Sequence, residues 1–111
     1  MSIRVAVASK DGKVVNQHFG KANKFYIYNI HKDKTLEYIG VREIQPLCEL
    51  RGHDQNRLLE SIKLISDCEI VLVSAIGLGA ENELVNNRIK AYRVYDFIHD
   101  SLNKIADQYY Q

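Results

Sequence analysis

The feature that most constrains this chain is Ile70-Val71-Leu72-Val73-Ser74, an unbroken apolar run set between two segments of helical periodicity. A strand without polar positions must be covered on both faces, which is the situation of a buried parallel strand. Upstream, Asp54 stands where a helix N-cap belongs, ahead of Leu58, Leu59, Ile62 and Ile65 at helical spacing. Downstream, Ile76-Gly77-Leu78-Gly79-Ala80 opens a second helix that includes Leu84 and Val85, and Ala91-Tyr92-Arg93-Val94-Tyr95 reads as the next strand. Asp96 then caps a last helix whose Ile98, Leu102, Ile105 and Tyr109 form one apolar stripe.

The first half of the chain has a different rhythm. Ile3 to Ala8 is rich in β-branched residues and reads as a strand covered on both faces. Lys10-Asp11-Gly12-Lys13 is a turn, and Val14-Val15 is a short extended piece. Lys24-Phe25-Tyr26-Ile27-Tyr28-Asn29-Ile30 forms a second strand, His31 to Lys34 a polar connection, and Thr35 to Ile44 a third strand. The order βββαβαβα predicts an α/β fold: a five-stranded mixed sheet with helices on its faces, in a single domain, 1–111.

Strand direction turns this fold into a site prediction. A meander makes strands 1 and 3 parallel, and helical crossovers make strands 3, 4 and 5 parallel. The loops after strands 1, 3 and 4 therefore leave one edge, where open α/β sheets place their ligands. The first loop carries Asn16-Gln17-His18-Phe19-Gly20, the second Cys48-Glu49-Leu50-Arg51-Gly52-His53, and the third Gly77 and Gly79.

The residue types in these loops suit metal or anion chemistry. The imidazoles of His18 and His53 and the thiolate of Cys48 are ligands for iron or zinc centres. Gly20 would let backbone approach closely behind His18. Free N–H groups beside Gly77 and Gly79, at a helix start, form a modest anion site. Lys21, Lys24 and Arg51 would add positive charge. Each residue also has a plain alternative: a solvated loop histidine for His18, a gap-filling small hydrophobe for Cys48, and an unliganded residue before an N-cap for His53. Cys68 is expected in core packing at the opposite edge, and His31 and His99 at the surface.

Several function classes are excluded. A net charge of +1 does not make a dedicated nucleic-acid binder. The N-terminus has too short an apolar stretch for a signal peptide, and no run reaches the length of a membrane span. Two cysteines twenty positions apart, without a Cys-x-x-Cys pair, imply neither a disulfide framework nor a paired zinc site, so a cytoplasmic setting is expected. There is no His-Glu-x-x-His, no Gly-x-Ser-x-Gly elbow and no Walker lysine. Strands 1 and 4 carry no carboxylates for a metal-dependent nuclease.

Val5-Ala6-Val7-Ala8-Ser9, Val15-Asn16-Gln17-His18-Phe19-Gly20 and Phe25-Tyr26-Ile27-Tyr28 together resemble the dinitrogenase iron–molybdenum cofactor-binding family. This is the domain of NifX- and NafY-type proteins and of the C-terminal part of NifB. The resemblance continues through Cys48, Gly52-His53, Asp67-Cys68 and Ile76-Gly77-x-Gly79-Ala80. It implies a ribonuclease H-like fold without nuclease activity, and with no nucleophile–base or paired-carboxylate constellation in the sequence a non-enzymatic role is expected. It further implies binding, storage or delivery of an iron–sulfur-based cluster, such as the nitrogenase iron–molybdenum cofactor or its precursor, as cargo. His18, with Phe19 and Gly20, is then the leading cluster contact, and nitrogenase or cluster-assembly proteins are the implied partners. The competing expectation is a small regulatory or interaction module that binds a partner protein or an anionic ligand at the same sheet edge.

Overall fold

A computed structural model of the chain describes residues 2–44 and 54–110. Strand β1 (Ser2–Ala8) occupies the middle of the sheet, because Val5, Ala6, Val7 and Ala8 offer no polar atom to either face and all four are fully buried. β2 (Lys24–His31) pairs with it antiparallel and β4 (Ile70–Val73) parallel. β3 (Leu36–Glu43) and β5 (Lys90–Arg93) complete a five-stranded sheet of order β3-β2-β1-β4-β5. β1, β3, β4 and β5 all run the same way, as the connections require.

The two-residue period of the strands divides the core in two. Ala6, Ala8, Phe25, Ile27, Val71 and Val73 pack on one face against α1 (Asp54–Leu64) and α2 (Leu78–Asn86), through Ile62 and Leu84. Val5, Val7, Tyr28, Ile30 and Leu72 pack on the other against Ile98, Leu102 and Ile105 of α3 (Ile98–Tyr109). None of the described helices is long and apolar enough to cross a membrane.

Local departures from the expected elements have simple causes. The third strand is two residues shorter than expected, and it shifts register against β2 after Ile27, with Ile39 as the extra residue. Asp96 is not itself the cap of α3. Phe97 holds that position, and the Asp96 carboxylate accepts the Phe97 N–H at 2.8 Å. Leu59 and Val85 fall outside the buried stripes and are exposed. Tyr109 is also exposed at the end of its stripe, its hydroxyl 2.8 Å from that of Tyr92. Gly12 is required by its turn: its φ is +74°, and an added Cβ would stand 3.0 Å from the Tyr26 ring.

Candidate functional site

The loop after β1 is fixed to the end of β4 by its backbone. Ser74 N–H donates to Gln17 O at 3.0 Å, and Phe19 N–H donates to Ala75 O at 2.9 Å, so His18 sits between two bonds that extend the parallel pairing. Extended chain alternates its side chains. Phe19 accordingly enters the core, 1% exposed with its ring 5.8 Å from that of Phe25, while His18 is left exposed.

After His18 the chain makes one 3-10 turn, Phe19–Lys21, with His18 as its N-cap. Nδ1 of His18 accepts the Gly20 N–H at 2.9 Å. At the far end of the turn, Arg57 from the first turn of α1 donates to Gly20 O at 3.1 Å, Lys21 O at 3.4 Å and Ala22 O at 3.1 Å. The turn is thereby held from three sides: β4, its own cap and α1.

A cleft of about 410 Å³ opens beside it, lined by His18, Phe19, Gly20, Lys21, Arg57, Leu58 and Ala80. None of these lining residues is acidic, and Phe19, Leu58 and Ala80 supply an apolar wall. Ala80 belongs to the first turn of α2, whose N-cap, Gly77, makes no side-chain capping bond. The opening N–H groups of a helix lack intrahelical acceptors and carry partial positive charge. Side chains added at Gly77 or Gly79 would enter open space, and neither glycine has a positive φ. Gly20 likewise has no positive φ, and an added Cβ would lie at ordinary distance, 3.4 Å, from the His18 ring. These glycines are not demanded by the backbone. They leave room.

A slightly larger cleft of about 440 Å³ lies between β5 and α3. It contains none of the expected site residues, and its Lys104 and Asp96 form an ion pair at 3.3 Å. The His18 cleft is smaller, but it combines an imidazole, cations and a helix start.

Of the residues expected at this edge, His18, Phe19 and Gly20 line the cleft, whereas Gly77 and Gly79 are not among its lining residues and precede Ala80, which is, at the start of α2. Cys48, Arg51 and His53 lie outside the described residues. Lys21 lines the cleft, whereas Lys24 is placed over the Tyr26 ring, 5.6 Å from its centroid. Cys68 is 3% exposed in the core, as expected. His31 ends β2 and contacts Glu37 at 2.7 Å, and His99 is exposed with its ring edge-on to Tyr28. Arg57 is the lining residue the sequence reading missed. A signal was present: a cation in a helix's first turn opposes the helix dipole and needs a partner elsewhere.

Comparison with known proteins gives this geometry a context. The family model described as dinitrogenase iron-molybdenum cofactor matches residues 1–108. The chain is 35% identical over 107 residues to the FeMo cofactor biosynthesis protein NifB of Frankia alni, covering 94% of this chain and 21% of that protein. It is 29% identical over 93 residues to protein NifX of Klebsiella pneumoniae, covering 84% of this chain and 57% of that one. The chain thus spans about a fifth of the length of the NifB relatives it matches. The crystal structure of PH0822 superposes with a TM-score of 0.65 at 26% identity, over 96% of this chain and 92% of that one. A structure from Methanocaldococcus jannaschii, mj0327, superposes at 0.62 over 97% and 91% of the two chains; at 13% identity it bears on the fold alone.

Proposed function

The chain belongs to the dinitrogenase iron-molybdenum cofactor family, and on that premise we propose that it is a non-enzymatic carrier of an iron–sulfur-based metallocluster. The cargo is the nitrogenase iron–molybdenum cofactor, its precursor or a related cluster. The cluster sits at the His18 cleft and passes to nitrogenase or to cluster-assembly proteins. The observation that carries this reading is the composition of the cleft: an exposed imidazole, Lys21 and the start of α2 around an apolar wall, with no acidic lining residue among the described residues. An anionic sulfide cluster needs positive potential and an apolar bed, and carboxylates would repel it.

Release is as important to a carrier as capture. A closed four-ligand site holds its metal as part of the fold, whereas a site with one or two protein ligands lets the cluster leave. Among the described residues no group of three or more His, Cys, Asp or Glu is arranged to hold a metal ion. His18 is the primary contact in this reading, with Phe19 and Gly20 shaping its surroundings. Cys48 and His53, carried by the chain between β3 and α1, supply the one or two metal ligands. The first-turn N–H groups near Gly77 and Gly79 offset the cluster's charge. We also read the fold as ribonuclease H-like, supported by the order β3-β2-β1-β4-β5 with only β2 reversed. A reducing cytoplasm suits unpaired thiols and a sulfide cargo alike.

The test is anaerobic. Apo-protein is mixed with isolated iron–molybdenum cofactor, excess is removed, and visible absorption and EPR are recorded for wild type, His18→Ala and Cys48→Ala. Wild type should retain stoichiometric cluster and His18→Ala should retain clearly less. Retention by both single variants would move the site away from this cleft. No retention by folded wild type would instead favour an interaction module for a partner protein or another anion.

A further inference from the structure

The bond from Gly20 N–H to His18 Nδ1 decides more than the shape of a turn. An imidazole nitrogen that accepts a hydrogen bond carries no proton, so the neutral ring keeps its single proton on Nε2. Among the described residues Nε2 has no hydrogen-bond partner, and the exposed ring lines the cleft. Resting on the carrier reading above, we infer that the His18–Gly20 bond presets His18 as a hydrogen-bond donor, through Nε2–H, to the sulfide face of an anionic metal–sulfur cluster, and not as a ligand to its metal.

Both routes to direct coordination break the turn. Coordination through Nδ1 takes the lone pair that Gly20 N–H uses. Coordination through Nε2 requires the proton to move to Nδ1, where it would face the Gly20 N–H across 2.9 Å. Either way Gly20 N–H loses its acceptor. The turn cannot easily rotate to compensate, because Phe19 N–H is bonded to Ala75 O and Arg57 is bonded to Gly20 O. Donation from Nε2–H leaves all of these bonds in place. It also suits transfer: an N–H···S contact breaks without exchanging a ligand on the metal.

Two measurements separate this inference from the carrier reading. The first uses the apo-protein labelled with 15N in its histidine rings. Two-bond nitrogen–proton correlations should show His18 as the Nε2–H tautomer; an Nδ1–H tautomer overturns the inference whatever the cargo. The second uses protein loaded anaerobically with isolated iron–molybdenum cofactor and observed by pulsed EPR. Weak 15N coupling from His18 is expected, and the strong coupling of a directly bonded nitrogen would overturn the donor role.

Two variants sharpen the result. His18→Gln can present an amide donor at about the reach of Nε2, whereas His18→Asn can accept the Gly20 N–H but has no donor there. Gln should stay within roughly tenfold of wild-type affinity, and Asn should fall by roughly ten- to a hundredfold, the loss of one hydrogen bond to a charged group. Equal losses in both variants, with circular dichroism unchanged, would mean that a ring nitrogen itself bonds the metal. Failure of wild type to bind the cofactor would overturn the carrier reading and the donor role together, while the apo tautomer would still be read independently.

Discussion

The His18 turn and the Asp67-Cys68 corner both carry side chains that metals favour, and the fold treats them in opposite ways. Cys68 is 3% exposed, and burial, reinforced by the neighbouring Asp67 charge, pushes its thiol up to about 12. Asp67 is saturated by two arginines. Arg42 grips both its oxygens, Arg4 donates to Oδ2 at 2.8 Å, and these partners, Arg42 foremost, hold its carboxyl well below the usual carboxylate range. That corner ties β1, β3 and the end of α1 together and has no atom to spare. His18 is exposed, is held by backbone bonds, and keeps one ring nitrogen without a protein partner among the described residues. Metal-binding residue types are therefore a poor guide without access and a vacant atom.

The contrast can be broken first at Cys68. In a Cys48→Ser background, where it is the only thiol left in the sequence, a disulfide reagent should label it at least ~1000-fold more slowly in the native protein than in urea, because labelling then waits on unfolding. A native rate within about tenfold of the unfolded rate would place the thiol at the surface. Linkage adds a direction: a thiol with a raised folded value makes stability fall as pH climbs from 9 towards 12.

Phe19→Ala tests the footing of the other region. It should cost about 3–5 kcal/mol in urea unfolding, as loss of a fully buried aromatic does. A cost under about 1 kcal/mol would mean that the His18 turn is not anchored in the core. Asp67→Asn should cost about 1 kcal/mol at neutral pH, because the ion pairs it breaks are partly screened by water. The sign with pH follows from the depressed folded value: the carboxylate's contribution is complete above the unfolded value near 3.8 and is lost as pH falls through the lower folded one. The difference between wild type and Asp67→Asn should therefore shrink between roughly pH 5 and pH 2. His18→Ala should be the mildest, within about 1 kcal/mol of wild type, the value of one cap bond.

Legibility in the sequence divides along the same line. The sheet was readable because Ile70 to Val73 and Val5 to Ala8 leave a strand no polar face, and because helical crossovers dictate direction. The gathering of the His18 loop and the start of α2 at one edge followed from direction alone. The bond between Gly20 and His18 could not be read, since it depends on a single 3-10 turn, Phe19–Lys21, that brings the Gly20 N–H back to the ring two positions before it. Nor could the Arg57 contacts, which join residues more than thirty positions apart. The exposure of Leu59 and Val85 was equally hidden, because helical spacing alone does not say how wide the covered stripe is.

The most direct test of the central claim sets the two regions against each other in one anaerobic titration with isolated iron–molybdenum cofactor, using wild type, His18→Ala and Cys68→Ala, each shown to be folded. Cys68→Ala should bind the cofactor as wild type does, and His18→Ala should bind it roughly ten- to a hundredfold more weakly. Loss in Cys68→Ala with full binding by His18→Ala would contradict the account and put the cargo at the opposite end of the sheet.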